Sequence, residues 1–61
     1  MDKLLFTPEE AAAILAIGRT KLYELLATGE IQSLRIGASR RITARALADF
    51  VERLDRIGQV P

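Results

Sequence analysis

The chain of 61 residues contains no cysteine and no histidine. Those two absences remove a disulfide framework and every zinc-finger ligand set, the usual staples of a chain this small, so the fold has to hold by packing alone. They also leave catalysis with only carboxylates or lysine to draw on. No two acids stand beside a pocket-forming signature or a glycine-rich phosphate loop, so an enzyme is not expected, nor a metal or other cofactor. Long apolar runs are missing as well. The longest, Ala11 to Ile17, has seven residues, far short of a membrane span. Met1-Asp2-Lys3 does not open a signal peptide, and the expected location is the cytoplasm, at the bacterial nucleoid. There are no internal repeats and no low-complexity segments. The length allows one domain, 1–61, with a core over about residues 5–56 and a frayed C-terminus, and its stability is expected to be marginal.

What is present is unevenly distributed. The net charge is only +1. Residues 19–45, however, carry Arg19, Lys21, Arg35, Arg40, Arg41 and Arg45 against Glu24 and Glu30, whereas both ends of the chain are net acidic. A solvated surface with no anionic partner can show the same clustering, so the position of these charges on the fold has to decide their meaning.

The order of elements is readable from caps and periods. Thr7-Pro8-Glu9-Glu10 is a capping box with proline at the first helical position, which starts a helix at Pro8 that stops near Ala16. Phe6 is placed to pack over Ala11, and Ile14 and Leu15 are expected to supply the bulk of the buried stripe. Ile17-Gly18 makes a short break. Leu22, Leu25 and Leu26 then mark a second helix that ends at Thr28-Gly29. From Ile31 the period becomes two. Leu34 and Ile36 are expected to point to the core with Ile42, and Arg35 and Arg41 to the outside, across a turn at Gly37-Ala38-Ser39. Thr43 caps a third helix in which Leu47, Phe50, Val51 and Leu54 recur on one face and close the core, with Gly58 and Pro61 as turn formers at its end.

Helix, tight turn, helix, β-hairpin and helix is a mainly α arrangement with a small β-hairpin: a winged helix-turn-helix with a two-stranded wing. The stretches Phe6-Thr7-Pro8-Glu9-Glu10-Ala11-Ala12, Gly18-Arg19-Thr20-Lys21-Leu22-Tyr23, Thr28-Gly29-Glu30-Ile31, and Arg35-Ile36-Gly37 with Arg41-Ile42-Thr43 carry a resemblance. The chain resembles the phage and plasmid excisionases, which share a MerR-like winged helix-turn-helix domain, and the resemblance covers residues 5 to 54. It departs from the family pattern at Gly18, where serine, threonine or aspartate is usual, and at Ala38-Ser39, a loop tip that is often more basic.

The polar side of the second helix carries Arg19, Thr20, Lys21, Tyr23 and Glu24. In helix-turn-helix proteins this end enters the major groove, so Arg19 and Thr20 are the candidates for reading bases. Lys21 and the Tyr23 hydroxyl suit phosphate, and Glu24 suits cytosine N4 or the exclusion of wrong sites. The wing candidates are Arg35, Ser39, Arg40 and Arg41, and the resemblance implies that they lie along the minor groove. An ordinary amphipathic helix and a charged guard over a sheet edge are the bland explanations of the same residues. The resemblance further implies a protein that binds and bends double-stranded DNA near an attachment site, assembles head-to-tail on it, and directs an integrase toward excision. The alternatives are a small MerR-like transcriptional regulator, for which no effector segment is seen, and a protein-interaction module without DNA binding.

Overall fold

A computed structural model describes residues 3–58. The elements run β1 Leu5–Phe6, α1 Pro8–Leu15, α2 Arg19–Thr28, β2 Leu34–Ile36, β3 Ser39–Thr43 and α3 Ala44–Gly58. This is the mainly helical winged helix-turn-helix that the patterning predicts. The expected frayed end, at residues 59–61, lies outside the described residues. Gly58 itself is the last residue of α3 and not part of a turn.

Local chemistry explains where the helices begin. The Glu10 N–H donates to Thr7 Oγ1 at 3.1 Å and the Thr7 N–H donates to Glu10 Oε1 at 2.9 Å, so both halves of the capping box are made. Thr43 does the same work for α3, its Oγ1 accepting from the Ala46 N–H at 2.9 Å. The turn between α1 and α2 is built differently from its sequence signal. The left-handed residue is Ala16, at φ 59°, whose N–H reaches the carbonyls of Ala12 and Ala13. Gly18 is extended, at φ −75°, and is the N-cap of α2. An alanine held in the left-handed region costs about 1–2 kcal/mol that a glycine would not. At the far end of α2, Gly29 (φ 81°) closes the helix in the left-handed conformation that its side-chain-free backbone allows.

The core is made of Ala11, Ala12, Leu22, Leu25, Leu26, Ile31, Ile42, Leu47 and Phe50. On α1 the inward stripe is Pro8, Ala11, Ala12 and the half-buried Leu15. Ile14 falls outside that i, i+3, i+4, i+7 set and is 55% exposed, contrary to its expected place in the buried stripe. Small alanines at the crossing bring α1 close to α2, where the fully buried Leu22 fills the space between them.

The sheet has three strands in the order β1-β3-β2, one more than the hairpin signal suggested. β1 pairs Leu5 with Thr43 and Phe6 with Ile42, and it is too short to show periodicity of its own. Phe6 packs against the core as expected. In the hairpin, Leu34 pairs with Arg41, Arg35 with Arg40 and Ile36 with Ser39, which leaves a two-residue turn, Gly37-Ala38, with positive φ at Gly37 (63°). Ser39 is therefore in β3 and not in the turn. Opposed residues share a face, so Arg35 and Arg40 lie on the side of Ile42, while Leu34 and Ile36 lie with Arg41 and Ser39 on the other. The expected alternation is thus inverted for β2: Leu34 and Ile36 are exposed, and Arg35 and Arg41 occupy opposite faces. A one-residue difference in register sends every side chain of a strand to the other face, and here Ile31, upstream of the strand, takes the core position instead.

α3 closes the core only with its first half. Leu47 and Phe50 are buried, but Val51 and Leu54 are 47% and 49% exposed, against the expectation that they too would be covered. The reason is placement. α3 packs chiefly on β3 through its first half, and Val51 and Leu54 border an open groove opposite Leu15, Ile17 and Leu25 instead of closing on them.

Candidate nucleic-acid interface

The outer side of α2 exists because its inner side is spent on the core. Leu22, Leu25 and Leu26 turn inward, and Arg19, Thr20, Tyr23 and Glu24, with Ala27, line one open concavity along the helix. Four of the five residues singled out on this helix are thereby brought together. The fifth, Lys21, lies around the helix toward Leu15, Ile17 and Leu25, and its Nζ is 3.8 Å from Glu24. Gly18 offers no side-chain capping bond. The amide donors of the first turn of α2 therefore remain open to an anionic oxygen.

Glu9, a residue with no local signal, shapes this surface from α1. Its Oε2 is 4.0 Å from Arg19 Nη1 and accepts a hydrogen bond of 3.2 Å from the Tyr23 hydroxyl. The contact spans fourteen positions of sequence and follows only from the crossing of α1 and α2. Its consequence is electrostatic: Arg19 is offset by Glu9 and Lys21 by Glu24, so the helix presents hydrogen-bonding groups with little net charge.

The wing is different. Among the described residues Arg35, Arg40, Arg41 and Arg45 have no carboxylate partner. Arg35 and Arg40 stand opposite each other on neighbouring strands, two like charges held side by side, and Arg41 Nη1 donates to the Arg40 carbonyl at 2.8 Å. Like charges opposed across a ladder repel, and an anion placed against them removes the repulsion. Ser39 sits next to the turn, opposite Ile36. Arg45, part of the basic block but not singled out as a wing residue, lies at the start of α3 in a concavity shared with Ser33, Leu34 and Thr43. Its sequence signal was membership of the basic run. The α2 residues and the hairpin residues form two groups, and among the described residues no hydrogen bond or ion pair joins one to the other.

Away from both groups, α3 carries an apolar stripe of Val51, Leu54 and Ile57, the last 74% exposed. Arg53 borders that stripe, sharing a concavity with Leu54 and Ile57 and donating to the Glu30 carbonyl. Among the described residues no helix is long and apolar enough to cross a membrane.

Comparison with known proteins identifies the family. A family described as a helix-turn-helix domain matches residues 5–55. A protein of Saccharopolyspora erythraea named "Probable excisionase" is 53% identical over 53 residues, covering 87% of this chain and 54% of that protein. An excisionase of Streptomyces ambofaciens is 36% identical over 55 residues, covering 90% of this chain and 86% of that protein. The chain thus spans about half the length of the first relative and most of the second. No solved structure matches. With a family match over residues 5–55 and sequence identity to these proteins over nearly all its length, the chain belongs to the helix-turn-helix domain family and, within it, to the excisionases.

Proposed function

We propose that this protein binds duplex DNA near an attachment site and directs an integrase toward excision, with α2 in the major groove and the β2–β3 hairpin against the neighbouring backbone and minor groove. The observation that carries the reading is the set of wing cations without carboxylate partners in a helix-turn-helix chain of the excisionase family. In this reading Arg19 and Thr20 read base edges. Lys21, Tyr23 and the open amides of α2 hold phosphate, and Glu24 excludes wrong sites. Arg35, Ser39, Arg40 and Arg41 grip the backbone. No catalytic step is assigned to the chain, and it acts by where it sits.

Integrase contact and head-to-tail assembly of copies on DNA belong to the same proposal. They are supported by the apolar stripe on α3, which a duplex engaged by α2 and the wing leaves uncovered. Footprinting on DNA flanking an integrase gene tests the reading. Several protections phased with the helical repeat are expected. A single palindromic site points to a dimeric regulator, and no protection at any position refutes DNA binding.

A further inference from the structure

Two apolar side chains stand outside the core in the most basic part of the molecule. Leu34 is 40% and Ile36 56% exposed, both on the face of the wing opposite Ile42. Ile36 adjoins the two-residue turn and pairs with Ser39, so it lies at the very tip. Neither contributes to the core, and a ligand that covered them would gain the burial energy that folding leaves unused.

The charges around them say what that is. Arg41 shares their face, directly opposite Leu34, and Arg35 and Arg40 flank them on the other side of the same strands, all without carboxylate partners among the described residues. An apolar protein surface seated here would leave the Arg41 guanidinium desolvated with no anion to meet it, and would do nothing for Arg35 and Arg40 at its edge. A polyanion that also offers apolar surface satisfies both, and duplex DNA does so through its sugars and the faces of its bases. The strands of a hairpin lie about 5 Å apart before side chains are added, while the minor groove is about 6 Å wide. The tip enters that groove only if the groove opens, and parting a base step opens it.

We infer that Ile36 is an apolar wedge: the wing presses it into the minor groove, where it partly unstacks one base step and bends the duplex, with Leu34 against the sugar wall behind it. The fold suits the task. Gly37, with positive φ, keeps the turn tight, and the β-branched isoleucine presents a side chain that is stiff at its first torsion. This inference rests on the DNA-binding reading above and adds a residue and a mechanism of bending to it.

The test uses a duplex carrying the footprinted site, labelled with a fluorophore at each end so that energy transfer reports the bend, with affinity measured on the same duplex over a salt series. The native protein, Ile36→Ser, Ile36→Leu and Arg40→Ala are compared. Ile36→Ser is expected to lose most of the bend and about tenfold in affinity with its salt slope unchanged. Ile36→Leu is expected to keep both, and Arg40→Ala to keep the bend while its salt slope falls by about 0.9. If circular dichroism shows that Ile36→Ser has lost the fold, Ile36→Thr replaces it, since it retains the β-branch. A serine or threonine variant that bends DNA as the native protein does overturns the wedge and leaves DNA binding standing, as does a native protein that binds without bending. A native protein that does not bind at all overturns both.

Discussion

Exchanging Arg35 and Arg40 together for glutamine removes two of the four basic-block cations, Arg35, Arg40, Arg41 and Arg45, that have no carboxylate partner among the described residues, while keeping a polar side chain at both positions. If Arg35, Arg40, Arg41 and Arg45 each neutralise one phosphate, the slope of log affinity against log salt is about −3.6, since each displaced counterion contributes about −0.9. Arg19 and Lys21 are left out of that count because each already faces a carboxylate, Glu9 at 4.0 Å and Glu24 at 3.8 Å, so a phosphate met by Lys21 displaces that carboxylate in place of adding a net charge. Between 50 and 200 mM salt the native protein should then lose affinity by a factor of about 150, and the double variant, with a slope near −1.8, by only about 12. Fluorescence anisotropy of a labelled duplex over a sodium chloride series measures both. A double variant whose slope stays within half a unit of the native value would refute the assignment of the wing as the charged grip. A native slope near −5.4 would show that the helix cations are released from their carboxylates on binding. Glu9→Gln gives the converse check, since freeing Arg19 should steepen the slope by up to about 0.9.

Arg19→Ala should relax sequence preference by about 1–3 kcal/mol at one base pair, whereas Arg41→Ala should weaken binding to specific and random duplexes alike; equal effects on both duplexes from the two variants would contradict the division between helix and wing. In urea denaturation, Leu47→Ala should cost about 2–5 kcal/mol and Val51→Ala less than about 1, and a reversal would place the core in the wrong half of α3. Ala16→Gly should stabilise the domain by about 1 kcal/mol by relieving the left-handed alanine, measured as a higher denaturation midpoint at an unchanged slope. Glu10 is held below the usual carboxylate range, first by its hydrogen bond from Lys3 and then by the Thr7 N–H. A lowered folded-state value means that its contribution is complete above the unfolded glutamate range and is lost as pH falls through the folded value. Thermal melts should therefore show an acid limb that Glu10→Gln, which preserves the capping box, makes shallower; an identical limb in the variant would rule this carboxylate out as a source.

Much of the fold was legible because it rests on interactions a few residues long. The capping box at Thr7 and Glu10, the cap at Thr43 and the glycine stop after Thr28 are each settled within four positions, and the structure forms each as predicted. The leucine spacing of α2 likewise decides alone which side of that helix is buried, and hence that Arg19, Thr20, Tyr23 and Glu24 share the other. The basic block between Arg19 and Arg45 is equally a property of the chain.

Tertiary structure decided the rest, wherever the outcome depends on which element meets which. In the run Ala11 to Ile17 every residue is apolar, so nothing in it distinguishes the stripe containing Ala12 from the one containing Ile14; the close crossing with α2 selects the alanines. β2 obeys period two in either register, and only its pairing, Arg35 to Arg40, settles that Leu34 and Ile36 face outward. α3 is amphipathic along its whole length, yet its seat on β3 and the core buries just Leu47 and Phe50. Glu9 reaches Arg19 and Tyr23 because two helices cross, a contact that leaves no trace in local sequence. Caps and periods are short-range and written in the chain, whereas register, helix crossing and the reach of one element past another come into being only when the elements pack.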